Sequence, residues 1–178
     1  MAGTLVISSV SNSGYTKISN SGAELPDTAK LGSGANDWAC TKDNKTDLTW
    51  EVKTLKSGLR NMDNVYTNYF LDEIGYGTSN NTDVFVSAVN QKTLCGKSDW
   101  RLPVLSEIKT LVFCSDGKYE ANGSCTNWKE VTKPTINTVY FPNSKDDWYW
   151  SSSPFAGNSS GAWNVYFDGI PPVVRVLQ

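Results

Sequence analysis

Two pairs of adjacent carboxylates, Asp72–Glu73 and Asp146–Asp147, are the first residues in this chain whose type invites chemistry. A glycosidase needs two carboxylates facing one another across a sugar, about 5–9 Å apart. Neighbours along an extended strand point to opposite faces, so neither pair satisfies that geometry alone. Histidine is absent from the 178 residues. Its absence removes Ser-His-Asp and Cys-His nucleophilic sites and histidine-bound zinc, and leaves an enzyme only carboxylates, Tyr, Lys and Cys. No catalytic constellation is recognisable, and the expectation is a protein that is not an enzyme.

The four cysteines are Cys40, Cys95, Cys114 and Cys125. None forms a C-x-x-C pair, which argues against zinc or thioredoxin-type chemistry. An even number, in a chain rich in Ser, Asn, Thr and Trp, points to two disulfides and an oxidising compartment. The alternative is four reduced core thiols. Of the three pairings available to four cysteines, Cys114–Cys125 would close the polar, Gly-containing loop "SDGKYEANGS" and Cys40–Cys95 would be a long-range tie. As a cation site, "DNKTD" (Asp43–Asp47) lacks the Gly and distal Glu of a calcium loop and reads as a solvated turn.

Charge excludes further classes. Charged residues make up 19% of the chain and the net charge is −2, so nothing in bulk favours nucleic acid or an anionic membrane as partner. The lysines are scattered and form no run. No apolar stretch approaches the ~18 residues of a membrane span, so membrane insertion is not expected. "MAGTLVISSV" has neither a basic start nor a long apolar core and is not an intact signal peptide.

The elements that would position these side chains follow from periodicity. Residues 1–35 are Ser/Gly/Asn-rich, with apolar pieces at Leu5–Ile7 and Tyr15–Ile18, and read as an N-terminal arm or edge strand. Leu48, Trp50 and Val52 alternate with Thr49, Glu51 and Lys53, a half-buried strand. "NTDVFVSAVNQKTLCG" predicts a helix capped by Asn81 or Thr82, with Val84, Phe85, Ala88 and Val89 on one face and Gly96 just past its end. Leu105, Ile108, Leu111 and Val112 predict a second helix over Val104–Phe113, opened by Pro103. Arg101, between Trp100 and Leu102, precedes it. Its planar fork suits a clamp on carbonyls or a carboxylate at this corner, and Arg101→Ala should then destabilise by about 1–3 kcal/mol.

Aromatic, period-2 pieces follow in "DDWYWSSSPF", "AWNVYFDG" and "VVRVLQ". Helices followed by strands indicate a single α+β domain over residues 1–178, two helices packed on a twisted, mostly antiparallel sheet. Alternation assigns Trp150, Trp163, Val165 and Phe167 to the core. Tyr149, Asn158, Ser159, Asn164, Tyr166 and Asp168 would then form an exposed polar-aromatic surface, a chemistry suited to recognition at modest ordering cost. The bland alternative is an ordinary polar sheet face. Trp100, Arg101, Trp150 and Trp163 are taken as structural.

Several phrases in order resemble the Lcl C-terminal domain family, named for a bacterial collagen-like adhesin: "WACTKDNKTDLTWEVKT", "GLR", "LCGKSDWRLPVLSEIKTLV", "YFPNS", "YWSSSPFAGNSSGAWNVYF" and "VRVL". The resemblance implies a C-type-lectin-like fold and a role in adhesion, including binding of sulfated glycans. Three departures stand out. Val104 replaces the Thr or Ser that would share a capping box with Glu107, at a cost of about 1 kcal/mol. Only Asp168–Val173 lies between "VYF" and the final "VR", where relatives carry a longer excursion. The mildly acidic balance sits poorly with sulfated ligands. "FPN" (Phe141–Asn143) and "WNV" (Trp163–Val165) are similar to the calcium-and-sugar tripeptides of true C-type lectins, but Phe141 and Val165 stand where Glu and Asp are needed. No cofactor is expected, and calcium has no motif to support it.

The function expected from these observations is a secreted or cell-surface bacterial adhesion domain that recognises glycan or protein ligands, displayed at the end of a longer fibre or as a homo-oligomer. The alternatives are a carbohydrate-active enzyme using carboxylates and a structural assembly domain of a surface fibre.

Overall fold

The computed structural model describes residues 14–67, 81–155, 161–168 and 174–175. Leu5–Ile7, the Asp72–Glu73 pair, and the candidate residues Asn158 and Ser159 lie outside them. Strand β3 (Trp38–Asp43) organises the first half of the chain, because almost every one of its residues is buried. Such a strand has no solvent face and must be flanked on both edges. It pairs antiparallel with β1 (Tyr15–Ser19) on one side and β4 (Thr49–Glu51) on the other, and β2 (Glu24–Leu25) closes the sheet beyond β1 in the order β2-β1-β3-β4.

The segment Tyr15–Ile18 is therefore an internal strand, not an arm or an edge. Its polar residues concealed this, because Lys17 and Ser19 are buried. Lys17 Nζ donates to the Ala29 carbonyl at 2.9 Å and sits 3.9 Å over the Trp38 ring. The paired cation and the apolar stem together let a lysine occupy a core position.

Helix α1 spans Thr82–Gln91, with the Asn81 side chain accepting from the Val84 N–H, as its sequence predicts. It packs Val89 against Ile18, Ala39 and Leu94. Past its end the chain turns through left-handed conformations at Thr93 and Cys95 (φ 46° and 53°) to bring Cys95 onto Cys40 of β3. Gly22 (φ +95°) and Gly96 (φ +71°) meet at this point. A Cβ on Gly22 would lie 2.9 Å from the Cys95 carbonyl oxygen, and one on Gly96 3.1 Å from that of Ser21. The second disulfide joins Cys114 to Cys125, so both expected pairings are formed.

Helix α2 is shorter than its periodicity suggests. It covers Leu105–Ile108 and continues only as a 3₁₀ turn, Lys109–Leu111. Val112 and Phe113 are drawn into extended backbone by Thr135 and Ile136, with Phe113 N donating to Thr135 O at 2.9 Å. The late aromatic segments form β5 (Trp148–Pro154), β6 (Ala162–Tyr166) and β7 (Val174–Arg175), an antiparallel sheet in chain order. The strands thus make two sheets where the sequence suggested one, and the α+β class holds. The main core lies between them, where Trp38 and Val52 of the first half meet Ile108, Leu111, Phe141, Val165 and Phe167 of the second.

Candidate functional site

At the corner before α2, Arg101 makes a two-pronged bond to Glu107, with Nη1 to Oε2 at 2.8 Å and Nη2 to Oε1 at 2.6 Å. Nη1 also reaches the Leu102 carbonyl at 3.1 Å. Glu107 Oε2 accepts from the Val104 N–H at 2.8 Å as well. Half of the capping box therefore survives the loss of a hydroxyl at position 104. The Arg101 bond pulls the Glu107 carboxyl below the ordinary carboxylate range, aided by the Val104 N–H and opposed by partial burial. Another donor of the first turn, Leu105 N, is met at 2.9 Å by Ser153 Oγ of β5. Trp100 is held in place by Asn90, which exchanges two hydrogen bonds with its backbone, and its indole donates to Leu94 O. These partners fit the clamp expected of the corner. The Arg101 side chain is 56% exposed, however, so the cost of removing it falls toward the ~0.2–1 kcal/mol of a surface pair.

The late strands correct the surface expected from alternation. The β5–β6 register sets Trp148 opposite Tyr166, Tyr149 opposite Val165 and Trp150 opposite Asn164. Tyr149 thus belongs to the core face, where its ring meets Phe167 edge-on at 5.1 Å. Burial raises its pKa above the usual phenol value, against a bond from the Lys145 N–H. Trp150 lies on the opposite face, a one-residue slip from the assignment. Asn164 and Asp168 are buried, 1% and 8% exposed, and not outward-facing. Asp168 is paired with Lys133. Trp163 is half-buried against Phe155, and Tyr166 is half-buried and stacked on Trp148 at 4.5 Å. Val165 and Phe167 are core, as expected. The four described residues, Tyr149, Asn164, Tyr166 and Asp168, do not form one exposed patch.

What the fold brings together instead is a cavity of about 660 Å³ lined from both halves of the molecule. Trp50 and Glu51 enter from β4, Phe85 from α1, Tyr66 from the irregular segment after β4, and Trp150 and Asn164 from β5 and β6. Tyr66 and Phe85 are in ring contact at 4.7 Å, and Trp150 Nε1 donates to the Tyr66 carbonyl at 2.9 Å. Three lining residues carry a buried polar atom without a hydrogen-bond partner: Trp50 Nε1, Glu51 Oε1 and Asn164 Oδ1. Glu51 spends its other oxygen on Lys53, at 3.0 Å. Each unmade bond in a buried setting costs about 1–3 kcal/mol, which makes three on one cavity a departure from what stability alone selects.

Trp50 and Glu51 were legible only as a strand pattern. Their alternation names the element and says nothing of a cavity, which arises when β5 and β6 are placed across from β4. Asn164 was singled out, but as a surface residue. "DNKTD" is a turn closed on itself: Asp43 accepts from Lys45 N and Thr46 Oγ1, and Asp47 pairs with Lys42. In "FPN", Phe141 is core and Asn143 donates to Lys53 O. Asp147 Oδ1 accepts from the Trp148 N–H.

Two sheets, two disulfides and an aromatic cavity at the seam define an extracytoplasmic α+β domain. Among the described residues no helix is long and apolar enough to cross a membrane. The model of the Lcl C-terminal domain matches residues 39–174, and the chain belongs to that family, a bacterial surface-related domain. No curated protein and no solved structure matches it.

Proposed function

We propose that this domain is a secreted or surface-displayed binding module that captures a glycan or protein ligand in the cavity between its two sheets, for adhesion. The observation that carries this is the set of three buried, unpartnered polar atoms on residues that line one aromatic-walled cavity. A volume of about 660 Å³ lies within the range of small-molecule sites, which are mostly apolar with a few placed polar groups. Family membership and the disulfides support an extracellular setting for that ligand. The two-sheet arrangement is read as a C-type-lectin-like variant in which binding needs no cation. Binding is favoured over catalysis because the wall carboxylates Glu51, Asp63 and Glu107 are each paired with a cation and Asp147 accepts from the Trp148 N–H.

The test is an array of surface glycans and matrix proteins probed with the purified domain, each hit repeated with Asn164→Leu. Capture lost by the variant with its melting temperature retained supports the cavity. Undiminished capture by a folded variant moves the site elsewhere. A hit that is cleaved over time makes the domain an enzyme.

A further inference from the structure

Resting on that cavity as the binding site, we infer that its ligand is an uncharged sugar residue, and that Trp50, Glu51 and Asn164 are the groups that hydrogen-bond its hydroxyls. The three unpartnered atoms are of two kinds. Trp50 Nε1 is a donor, whereas Glu51 Oε1 and Asn164 Oδ1 are acceptors. A hydroxyl both donates and accepts, so a ring bearing neighbouring hydroxyls satisfies all three. An ammonium or guanidinium only donates and would leave the indole N–H unmet. A sulfate or phosphate only accepts and would set its charge against the Glu51 carboxylate while leaving Asn164 Oδ1 unmet.

The electrostatics of the wall agree. Among the described residues it carries six carboxylates and four cations. Three of those cations are already committed: Lys53 to Glu51, Arg101 to Glu107 and Lys145 to Asp63. No cluster of unpaired positive charge is left there for an anionic group. The aromatic surfaces of Tyr66, Phe85 and Trp150 supply faces for the C–H sides of a pyranose. The three polar atoms are covered in the free protein, so entry requires side-chain reorientation of the kind common at binding sites.

The experiment is a titration of the whole chain followed by the indole N–H resonances of its tryptophans, with three probe sets at millimolar concentration. These are neutral disaccharides (lactose, cellobiose, diacetylchitobiose), a sulfated glycosaminoglycan disaccharide, and the blocked amino acids N-acetyl-arginine and N-acetyl-lysine methylamides. The expected result is a saturable shift of the Trp50 indole with a neutral disaccharide only, weakened at least tenfold in Asn164→Leu and, read at the Trp150 indole in the same cavity, in Trp50→Phe. A saturable Trp50 shift with the sulfated or cationic probe and none with the sugars overturns the ligand class and leaves the cavity as the site. Silence from every probe, with surface adhesion retained in both variants, overturns the cavity as well. The wild-type titration decides the ligand class even if a variant fails to fold.

Discussion

Glu107 serves Arg101 and the start of α2 at once, and this gives the corner a dependence on pH. Its pKa is depressed in the fold, chiefly by the Arg101 bond. A depressed carboxyl contributes stability that is present above its unfolded value of about 4.3 and is lost as pH falls through the folded value. Glu107→Gln should therefore melt below wild type at neutral pH, by an amount on the order of 1 kcal/mol. The gap should shrink as the pH is taken down to about 3. A gap constant with pH would mean that packing, and not the ion pair, accounts for the loss. Arg101 was legible because its neighbours Trp100 and Pro103 mark a corner and its own chemistry restricts what it can do there. Tyr149 and Asn164 were not. The face of Tyr149 depends on which residue of β5 lies opposite which of β6, and a shift of one residue exchanges inside for outside. Asn164, by contrast, stands opposite in face to Val165, as alternation requires, and is buried because that face of β6 is covered as well.

At the scale of elements, α1 and α2 differ in where their caps come from. Asn81 caps α1 from within its own turn, so the signal lies in a few consecutive residues and the sequence shows it. The cap of α2 is divided between Glu107 and Ser153, and the serine stands 48 positions away on β5. Val104 looked like a lost cap because only its own side chain was in view. Ser153→Ala is expected to cost about 1 kcal/mol, more than removing an ordinary surface hydroxyl, and to loosen α2 specifically. Hydrogen exchange at the Leu105 amide, read beside the melting temperature, checks this. Protection unchanged at Leu105 would show that the bond contributes little. Strand β1 was misplaced for a related reason: Lys17 reads as a surface residue until Trp38 and the Ala29 carbonyl are found around it.

At the scale of the whole molecule, the α+β class and both disulfides were accessible from element order and cysteine count. The division into two sheets was not, because no residue pattern states which strands fail to pair. The cavity follows from that division. The pairing of the cysteines also has a geometric guard in the contact between Gly22 and Gly96. With the two backbones this close, the β1–β2 turn acts as a template that accepts the loop carrying Cys95 only when no side chain intervenes. The two glycines thereby influence the fidelity of a covalent step in which they take no part. A reduced chain with Gly22→Ala would reach the same four thiols with the template spoiled, and thiol–disulfide exchange would have less to favour Cys40–Cys95 over its competitors. Oxidative refolding of that variant should yield a larger share of mispaired isomers by peptide mapping than wild type. An equal share would show that Cys40 and Cys95 find each other through the core alone.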